Sequence, residues 1–457
     1  MHNLAIALSQ KGVVVSGSDD EIFDPARTHL AQHGLLPPET GWHPERITPQ
    51  LDAVVVGMHA RADNPELLRA QQLGLRIYSY PEYLYEQSRD KVRIVVGGSH
   101  GKTTITAMVL HVLRACGVEC DYMVGAQLQG FDVMVRLSDT ARYMVIEGDE
   151  YLTSPVDPRP KFHLYHPHVA VLSGIEWDHI NVFPSYENYK EQFRRYVQLV
   201  EKGGTVVYCG DDEAVCDVVQ HVDRPDLTRV RYGVPPHRTV DGVTQLLLPD
   251  GTAVPLRVFG RHNLLNLMAA RAVCQTVGVP DERFYDAIST FAGAGKRLER
   301  VGENGRRCAM YRDFAHAPSK LRATVEAMRT QYPDRRLVAC MELHTFSSLT
   351  DAFLDHYRDT MRPADDALVY FSPHALELKR LPPLDPARVS AAFGGVEVYA
   401  DRAQLLERLR ALFGPDTHDQ NLLMMSSGNF DGIDMTQLFG ELLGSDASSS
   451  TPTPVLS

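Results

Sequence analysis

Short runs of apolar residues rich in Val and Ile alternate along this chain with longer segments whose apolar positions recur every three or four residues. The short runs predict buried β-strands, and the longer segments predict amphipathic helices. Their alternation is typical of parallel sheets covered by helices on both faces. The pattern therefore predicts an α/β fold class, with strands before residue 210 within residues 11–19, 51–58, 75–80, 92–98, 142–150, 168–175 and 204–210.

A second set of strand-like runs follows residue 300, with a helical pattern at 319–332 between its first two runs. The set lies within residues 306–314, 335–343, 366–373, 396–400 and 421–428. The stretch 85–91 is polar, and Gly and charged residues cluster at 292–307, which places a boundary near each. The predicted domains are residues 1–88, 89–296 and 297–446. Residues 447–457 form a Ser- and Pro-rich tail that we expect to be disordered.

Charge and composition limit the classes of function. The 457 residues include 46 Lys and Arg against 58 Asp and Glu, a formal net charge of -12. Nucleic acids and anionic membranes need a basic face, so neither is an expected partner. Seven cysteines without a C-x-x-C pair indicate free thiols in a reducing compartment. With no apolar run as long as a membrane span, we expect a cytoplasmic protein without membrane insertion.

The stretch RIVVGGSHGKTT, residues 93–104, joins a predicted strand to a predicted helix through a glycine turn. In such a turn, backbone N–H groups and the helix N-terminus bind phosphate oxygens, Lys102 neutralises the terminal phosphates, and Thr103 ligates Mg²⁺. The common pattern G-x-x-x-x-G-K-[ST] requires a glycine at the position of Val96. The loop is therefore a variant, and the alternative to nucleotide binding is a structural glycine turn.

Polar residues follow two further predicted strands. Glu147 ends one of them, and the pair Asp178 and His179 follows another. The carboxyl ends of parallel strands form the ligand edge of an open α/β sheet. A carboxylate and an imidazole there could complete Mg²⁺ coordination on ATP oxygens. The alternative for the Asp-His pair is a turn that caps a helix.

At three later places in the chain, a ligand-binding interpretation also competes with a purely structural one. Asn263 and Asn266 are three apart on one predicted helix, so both amides could face one ligand, although Asn263 could instead cap the helix. Arg297 could clamp a phosphate or lie as a solvated charge at the boundary. Asp313 and His316 follow a strand and precede a proline-initiated helix, where a turn explains the aspartate equally well.

These motifs, in this order, resemble the Mur ligase family of ATP-dependent amide-bond-forming enzymes of peptidoglycan metabolism. That family uses a shorter loop, G-[TS]-x-G-K-[TS]-T, which explains the missing glycine. The resemblance implies an ATP-binding loop at Gly98, Ser99, His100, Gly101, Lys102, Thr103 and Thr104. It also implies metal ligation by Thr103, Glu147 and His179, and ATP binding by Asn263, Asn266 and Arg297. The catalytic set it implies is Lys102, Glu147, His179, Arg297 and Asp313, with Asp19 and His316 binding substrate.

The family resemblance further implies an architecture and a reaction. The three domains would be a Rossmann-like UDP-sugar domain, a central P-loop ATPase domain and a Rossmann-like domain for the incoming amine. ATP phosphorylates a substrate carboxylate, and an amine then attacks the acyl phosphate to give an amide, ADP and phosphate. Positioning and positive charge are what phosphoryl transfer mainly requires. Lys102, Arg297 and Mg²⁺ would supply that charge, with ATP and Mg²⁺ as cofactors.

Two segments bear on the substrates within the resemblance. The helix after Asp178 and His179 reads EQFRRYVQLV, without the lysine that carries a carbamate in some members, which favours UDP-N-acetylmuramate as the acceptor. The segment EGDEYLTSPVDPRPKF, residues 147–162, resembles members that add the tripeptide L-alanyl-γ-D-glutamyl-meso-diaminopimelate. In contrast, ACMELHTFSSL, residues 339–349, is nearer to members that add L-alanine. We therefore expect the tripeptide as the amine, with L-alanine as the alternative.

Family members open with a strand and a G-x-G-x-M loop that faces the UDP pyrophosphate. This sequence starts with what resembles the helix after that loop, so we expect weak UDP-sugar binding and a disordered or rearranged N-terminal sheet. Two other classes compete with a ligase. One is a P-loop ATPase acting as a switch, for which the loop alone would suffice. The other is a UDP-sugar- and ATP-binding protein with impaired catalysis.

Overall fold

The computed structural model describes residues 1–128, 130–154, 157–177, 182–414 and 416–444. The chain forms two compact units. The first contains residues 1–235 and 265–291, and the second contains residues 236–264 and the chain from residue 292. Within the described ranges, no helix is both long and apolar enough to cross a membrane. The domain bounds 1–88, 89–296 and 297–446 stay a prediction.

The first 91 residues form a small region with a two-stranded parallel sheet in which Val54 pairs with Ile77. The strand expected at 11–19 is wrong, since those residues form no strand and Val13 and Val14 are exposed. An apolar run becomes a strand only where a neighbouring strand accepts its backbone hydrogen bonds. The elements are α1 (His2–Gln10), α2 (Ala26–Gln32), β1 (Val54–Val56), α3 (Pro65–Gln72), β2 (Ile77–Ser79) and α4 (Tyr80–Gln87).

A seven-stranded sheet forms the centre of the first unit. Its elements are β3 (Val92–Gly97), α5 (Lys102–Ala115), β4 (Cys120–Met123), β5 (Val135–Arg136), β6 (Tyr143–Glu147), β7 (Leu152–Ser154), β8 (Asp157–Pro160), β9 (Val169–Leu172), α6 (Tyr186–Gln198), β10 (Thr205–Cys209), α7 (Glu213–His221) and β11 (Thr228–Tyr232). The strand order is β11-β10-β9-β3-β6-β4-β5, parallel except for β5. β7 and β8 form a separate antiparallel pair. The middle strands β3, β6 and β9 are almost fully buried, as their unbroken apolar sequences require.

The next segment contains a small antiparallel sheet, β12 (His237–Val240), β13 (Val243–Leu247) and β14 (Ala253–Leu256), in the second unit. Helix α8 (Arg261–Thr276) follows and includes the boundary between the units. Helix α9 (Asp281–Ile288) belongs to the first unit.

A six-stranded sheet forms the centre of the rest of the second unit, in the order β15-β16-β20-β17-β18-β19, parallel except for β15. Apolar clusters pack on both of its faces. All five strand-like runs and the helix expected after residue 300 are confirmed. The elements are β15 (Glu299–Glu303), β16 (Ala309–Asp313), α10 (Pro318–Gln331), β17 (Arg336–Leu343), α11 (Asp351–Leu354), β18 (Asp366–Phe371), α12 (Pro373–Leu378), α13 (Pro386–Phe393), β19 (Glu397–Tyr399), α14 (Arg402–Leu412), β20 (Gln420–Met425) and α15 (Met435–Leu443).

Candidate active site

Three neighbouring parallel strands of the first unit end at one edge. β3 lies between β6 and β9, with Val96 opposite Glu147 and Gly97 opposite Leu172. The segments that follow these strands therefore meet in space, although they are about fifty and seventy-five residues apart in the chain. This carboxyl edge is where open α/β sheets bind ligands.

The loop between β3 and α5 has the backbone conformation of a glycine turn. Gly98 and Gly101 have φ of 137° and 79°, which residues with a Cβ rarely adopt. A Cβ at Gly98 would also collide with the hydroxyl of Ser173, and one at Gly101 with the amide oxygen of Asn266. Gly101 is the N-cap of α5, so the first N–H groups of the helix have no partner within it and face the loop.

The end of β9 braces this loop from one side. The Ser99 N–H donates to the Gly174 carbonyl at 3.0 Å, and the Glu176 N–H donates to Ser99 Oγ at 2.9 Å. Ser173 Oγ donates to the His100 carbonyl, and a Cβ at Gly174 would collide with the His100 imidazole. The loop is thus held in shape by hydrogen bonds to its own sheet.

Lys102, the first residue of α5, is held by two oxygens. Its Nζ donates to the Gly98 carbonyl at 2.7 Å and to Glu150 Oε2 at 2.6 Å. Burial would lower the pKa of the Lys102 ammonium, but the carboxylates of Glu150, Asp149 and Glu147 outweigh burial and raise its pKa above the usual lysine range. The side chain is therefore a fixed positive charge beside the glycine turn.

Thr103 and Glu147 are in direct contact. Thr103 Oγ1 donates to Glu147 Oε1 at 2.6 Å, and the Gly125 N–H donates to Glu147 Oε2 at 2.9 Å. Burial, followed by the charge of Asp149, raises the pKa of the Glu147 carboxyl above its usual value. A cation near Glu147 would offset both effects.

The Thr103 hydroxyl and the Glu147 carboxylate fit Mg²⁺, which prefers oxygen ligands. Proteins usually bind this ion through one or two side chains, and substrate phosphates and water supply the other ligands. In the described part of the chain, no three His, Cys, Asp or Glu side chains are grouped to hold a metal by themselves. His179, the third expected ligand, and its neighbour Asp178 lie outside the described residues. Metal ligation by Thr103, Glu147 and His179 remains a prediction.

The two asparagines of α8 have different surroundings. Asn266 lies against the glycine turn, because its Oδ1 occupies the space that a Cβ of Gly101 would need. Asn263 Nδ2 donates to the Phe259 carbonyl at 2.9 Å, and its side chain is buried. Asn266 therefore lies next to Gly101, a residue of the loop that is also predicted to bind ATP.

In the second unit, Arg297 lies in a backbone segment with unusual dihedral angles. Lys296 and Leu298 have φ of 54° and 44°, although neither is a glycine. The Arg297 guanidinium lies 4.5 Å from the centroid of the Phe314 ring, and its Nη1 donates to the Lys296 carbonyl at 3.0 Å. Left-handed conformations at non-glycine residues are costly and concentrate at functional sites.

Asp313, at the end of β16, stabilises this segment. Its Oδ2 accepts the Leu298 N–H and its Oδ1 accepts the Ala315 N–H, both at 2.7 Å. Thr324 Oγ1 donates to Oδ1 at 3.4 Å. Asp313 therefore holds the backbone directly after Arg297 and at the start of the next turn, which agrees with the turn alternative. Its catalytic role stays a prediction.

The remaining predicted residues lie as follows. His316 Nδ1 is 2.8 Å from the Phe314 carbonyl, and its own carbonyl accepts the Tyr357 hydroxyl. Thr104 is buried in the first turn of α5. Asp19 is exposed, and its Oδ1 accepts the Asp20 N–H at 3.0 Å. The roles proposed for these residues stay predictions.

Sequence reasoning missed Glu150 and Ser173, which hold the lysine and the loop. The signal for Glu150 was present, because residues 147–150 place three carboxylates at and directly after the end of a buried strand. Ser173 had no comparable signal, since a serine after a strand is common and only the pairing of β9 with β3 brings it to the loop.

The strand, the glycine turn and the helix that begins with Lys102 and Thr103 place this chain in the class of P-loop nucleotide-binding proteins. Comparison with known families narrows the class. The Mur ligase middle domain matches residues 96–274, and the domain described as "Mur ligase, glutamate ligase domain" matches residues 296–428. The chain belongs to the Mur ligase family, and it is an ATP-dependent ligase of peptidoglycan synthesis. Mur ligases use Mg²⁺ and bind a UDP-sugar together with an amino acid or peptide.

Individual relatives differ in the amine that their names specify. UDP-N-acetylmuramate–L-alanine ligase of Xylella fastidiosa is 31% identical over 457 aligned positions, covering 95% of this chain and 91% of the relative. A murein peptide ligase of Psychrobacter arcticus has a TM-score of 0.66 at 24% identity, covering 98% and 97% of the two chains. UDP-N-acetylmuramate–alanine ligase of Thermotoga maritima has a TM-score of 0.68 at 18% identity, covering 94% of each chain. These similarities confirm the expected α/β Mur ligase fold.

Proposed function

We propose that this chain joins the carboxylate of UDP-N-acetylmuramate to the amino group of L-alanyl-γ-D-glutamyl-meso-diaminopimelate, with ATP as the phosphoryl donor. One observation carries the choice of amine. Glu150 belongs to the segment 147–162, whose sequence resembles the tripeptide-adding members, and it binds Lys102 at the ATP-binding edge. The same segment forms ion pairs between Lys161 and Asp149 at 3.0 Å and between Arg159 and Asp157 at 2.7 Å.

The proposed chemistry assigns a role to each part of the site. The N–H groups of the glycine turn bind the phosphates of ATP, and the Lys102 ammonium leaves Glu150 to neutralise the charge on the transferred group. Mg²⁺ held by Thr103 and Glu147 would neutralise further phosphate charge. The substrate carboxylate attacks the γ-phosphorus and ADP departs. The amine then attacks the acyl carbon, its proton is lost to solvent or phosphate, and phosphate leaves.

Positioning and charge supply the rate enhancement in this scheme, so no protein nucleophile is required. Arg297 would contribute a second cation. Its support is the unusual backbone at Lys296 and Leu298, of which Asp313 stabilises the Leu298 side. A solvated boundary residue would gain nothing from such a conformation.

The second candidate is the UDP-N-acetylmuramate–L-alanine ligase. The printed name of the Xylella fastidiosa relative supports it, as does the histidine-centred segment 339–349. The two solved structures named above have nearly equal TM-scores and carry different amine names, so overall fold does not discriminate between the candidates.

Phosphate release with ATP, Mg²⁺ and UDP-N-acetylmuramate tests the proposal in three arms: with the tripeptide, with L-alanine and with no amine. Mass spectrometry of the products identifies the amide. We expect the tripeptide arm to release phosphate and to yield UDP-N-acetylmuramyl-tripeptide. Turnover with L-alanine alone would establish the second candidate. Equal release in the arm without amine would indicate a P-loop ATPase switch.

A further inference from the structure

A second carboxylate, besides that of Asp313, lies next to Arg297. Glu299 is the first residue of β15, and its Oε2 accepts the Lys296 N–H at 2.7 Å. Lys296 and Leu298 are the two left-handed residues that flank Arg297. Asp313 binds the Leu298 N–H, so Glu299 supplies the corresponding bond on the other side. The backbone around the arginine is thus held by one carboxylate before it and one after it.

Arg312 fixes the orientation of Glu299. Its Nε donates to Glu299 Oε2 at 2.9 Å, and its Nη2 donates to Oε1 at 2.7 Å. The two residues lie directly opposite each other on the antiparallel strands β15 and β16. A bidentate pair fixes the plane of a carboxylate as well as its distance. Glu299 Oε2 is therefore presented to the Lys296 N–H in one orientation.

Glu299 is charged when it makes these bonds. Burial would raise the pKa of its carboxyl, but the hydrogen bonds from Arg312 and from the Lys296 N–H outweigh burial and lower the pKa. Hydrogen bonds to an ionised acceptor are stronger than those to a neutral one. The bond to the Lys296 N–H therefore belongs to the stronger class at neutral pH.

The carbonyl of Lys296 binds the guanidinium directly. It accepts Arg297 Nη1 at 3.0 Å and the Phe314 N–H at 2.8 Å. The guanidinium also lies 4.5 Å from the centroid of the Phe314 ring. A shift of the Lys296 backbone would therefore move the Arg297 side chain with it.

The residues that support this segment are consecutive in the chain. β16 ends with Arg312 and Asp313, and Phe314 follows. β16 pairs with β15 on one side and with β20 on the other, so its end is anchored in the sheet of the second unit. A displacement of about 1 Å in a group that acts on the reacting atoms can cost about a hundredfold in rate. Anchoring to a sheet limits such displacements.

We propose that Glu299 is a positioning residue for phosphoryl transfer. Oriented by Arg312, it holds the Lys296 backbone so that the Arg297 guanidinium is directed at the transferred phosphoryl group. Glu299 acts only through the arginine. The inference rests on the proposed function, in particular on the phosphate-binding role predicted for Arg297, and it adds a residue to that role.

A double-mutant cycle on the full chain tests this, with Glu299→Gln, Arg297→Ala and both changes together. Phosphate release is measured with whichever amine the wild type uses. A glutamine keeps one acceptor oxygen, and its NH₂ group then opposes either Arg312 or the Lys296 N–H. In Glu299→Gln we expect kcat to fall about tenfold, with the KM for ATP changing less than about twofold.

The second half of the cycle separates positioning from a structural role. Arg297→Ala should lower kcat by about a hundredfold or more. Adding Glu299→Gln to Arg297→Ala should lower kcat by less than about a further twofold, because no guanidinium is left to misplace. The same tenfold loss in both backgrounds would overturn the inference, as would an unchanged kcat in Glu299→Gln alone.

Glu397→Gln is the matched control. Glu397 begins β19 and binds Arg408 with the same bidentate geometry, at 2.9 Å to Nε and 2.7 Å to Nη2. Its loss removes a similar ion pair from the same sheet without touching the segment around Arg297. The kcat of Glu397→Gln should therefore match that of the wild type.

Failure of the inference and failure of the proposed function give different results. Phosphate release by the wild type without any amine would refute the ligase function, yet the same cycle in that assay would still decide the role of Glu299. Wild-type kcat in Arg297→Ala would overturn the inference. Thermal unfolding identifies a folding defect. Should Glu299→Gln not fold, Arg312→Gln decides in the same cycle, with an expected loss of about threefold in kcat.

Discussion

The ammonium of Lys102 and the carboxylate of Glu150 form an ion pair 2.6 Å long at the carboxyl edge of the central sheet. The pair joins the first residue of α5 to the third residue after β6. Both side chains are largely buried, so each charge requires the other. A nucleotide phosphate that draws Lys102 away from Glu150 must compete with this pair, which favours a ligand carrying several negative charges.

Lys102→Ala should reduce phosphate release by about a hundredfold or more, because it removes the fixed cation beside the transferred group. Phosphate release with saturating substrates measures the effect. Lys202→Ala is the matched control, since Lys202 lies exposed in the turn after α6. Turnover retained in Lys102→Ala would refute the role assigned to this lysine.

Glu150→Gln should destabilise the chain by about 3 kcal/mol, because it leaves a buried ammonium without its carboxylate. The way in which this loss of stability depends on pH follows from the raised pKa of the Lys102 ammonium. Stabilisation by a lysine with a raised pKa is complete below the pKa of the unfolded lysine, about 10.4, and is lost only as the pH rises through the folded value.

The difference in thermal midpoint between the wild type and Glu150→Gln should therefore stay constant from about pH 7 to 9.5. Differential scanning fluorimetry at three pH values in this range tests it. A difference that narrows markedly before pH 9.5 would mean that the lysine pKa is not raised.

Gly101→Ala should abolish nucleotide binding, because the new Cβ meets the Asn266 side chain and the backbone has φ of 79°. Gly117→Ala separates the two causes. Gly117 has φ of 71°, but a Cβ there would have no neighbour within 4 Å. The control should lose about 1 kcal/mol of stability from strain alone and keep its affinity for ATP. Equal loss of affinity in both variants would contradict a specific role for the loop glycine.

Asp313→Asn should lower kcat by about tenfold or more, because an amide has only one acceptor oxygen for the N–H groups of Leu298 and Ala315, and its NH₂ group opposes the other N–H, so the backbone beside Arg297 shifts. Hydrogen exchange at Leu298 and Ala315 should accelerate in parallel. Asp250→Asn is the control, since Asp250 accepts the Thr252 N–H in an exposed hairpin turn and should leave turnover unchanged. Faster exchange without loss of turnover would assign Asp313 a structural role alone.

Much of the fold follows from the sequence, because buried parallel strands need unbroken apolar runs and their helices need amphipathic ones. This holds for β3, β6 and β9, whose ends supply the glycine turn, Glu147 and Ser173. The strand prediction was wrong at residues 11–19, because a strand needs a neighbouring strand for its hydrogen bonds, and an apolar run does not determine whether one is present.

The residues of the candidate site also fall into two groups, those that the sequence predicted and those that only became apparent in the structure. Lys102, Thr103 and the loop glycines could be predicted from the sequence by itself, because a strand, a glycine turn and a helix are consecutive and their geometry is local. Three contacts come instead from long-range packing: Glu150 holds Lys102, Ser173 braces the loop, and Glu342 binds a loop more than eighty residues away. Those contacts depend on which strands become neighbours, and strand order is decided by packing of the whole chain.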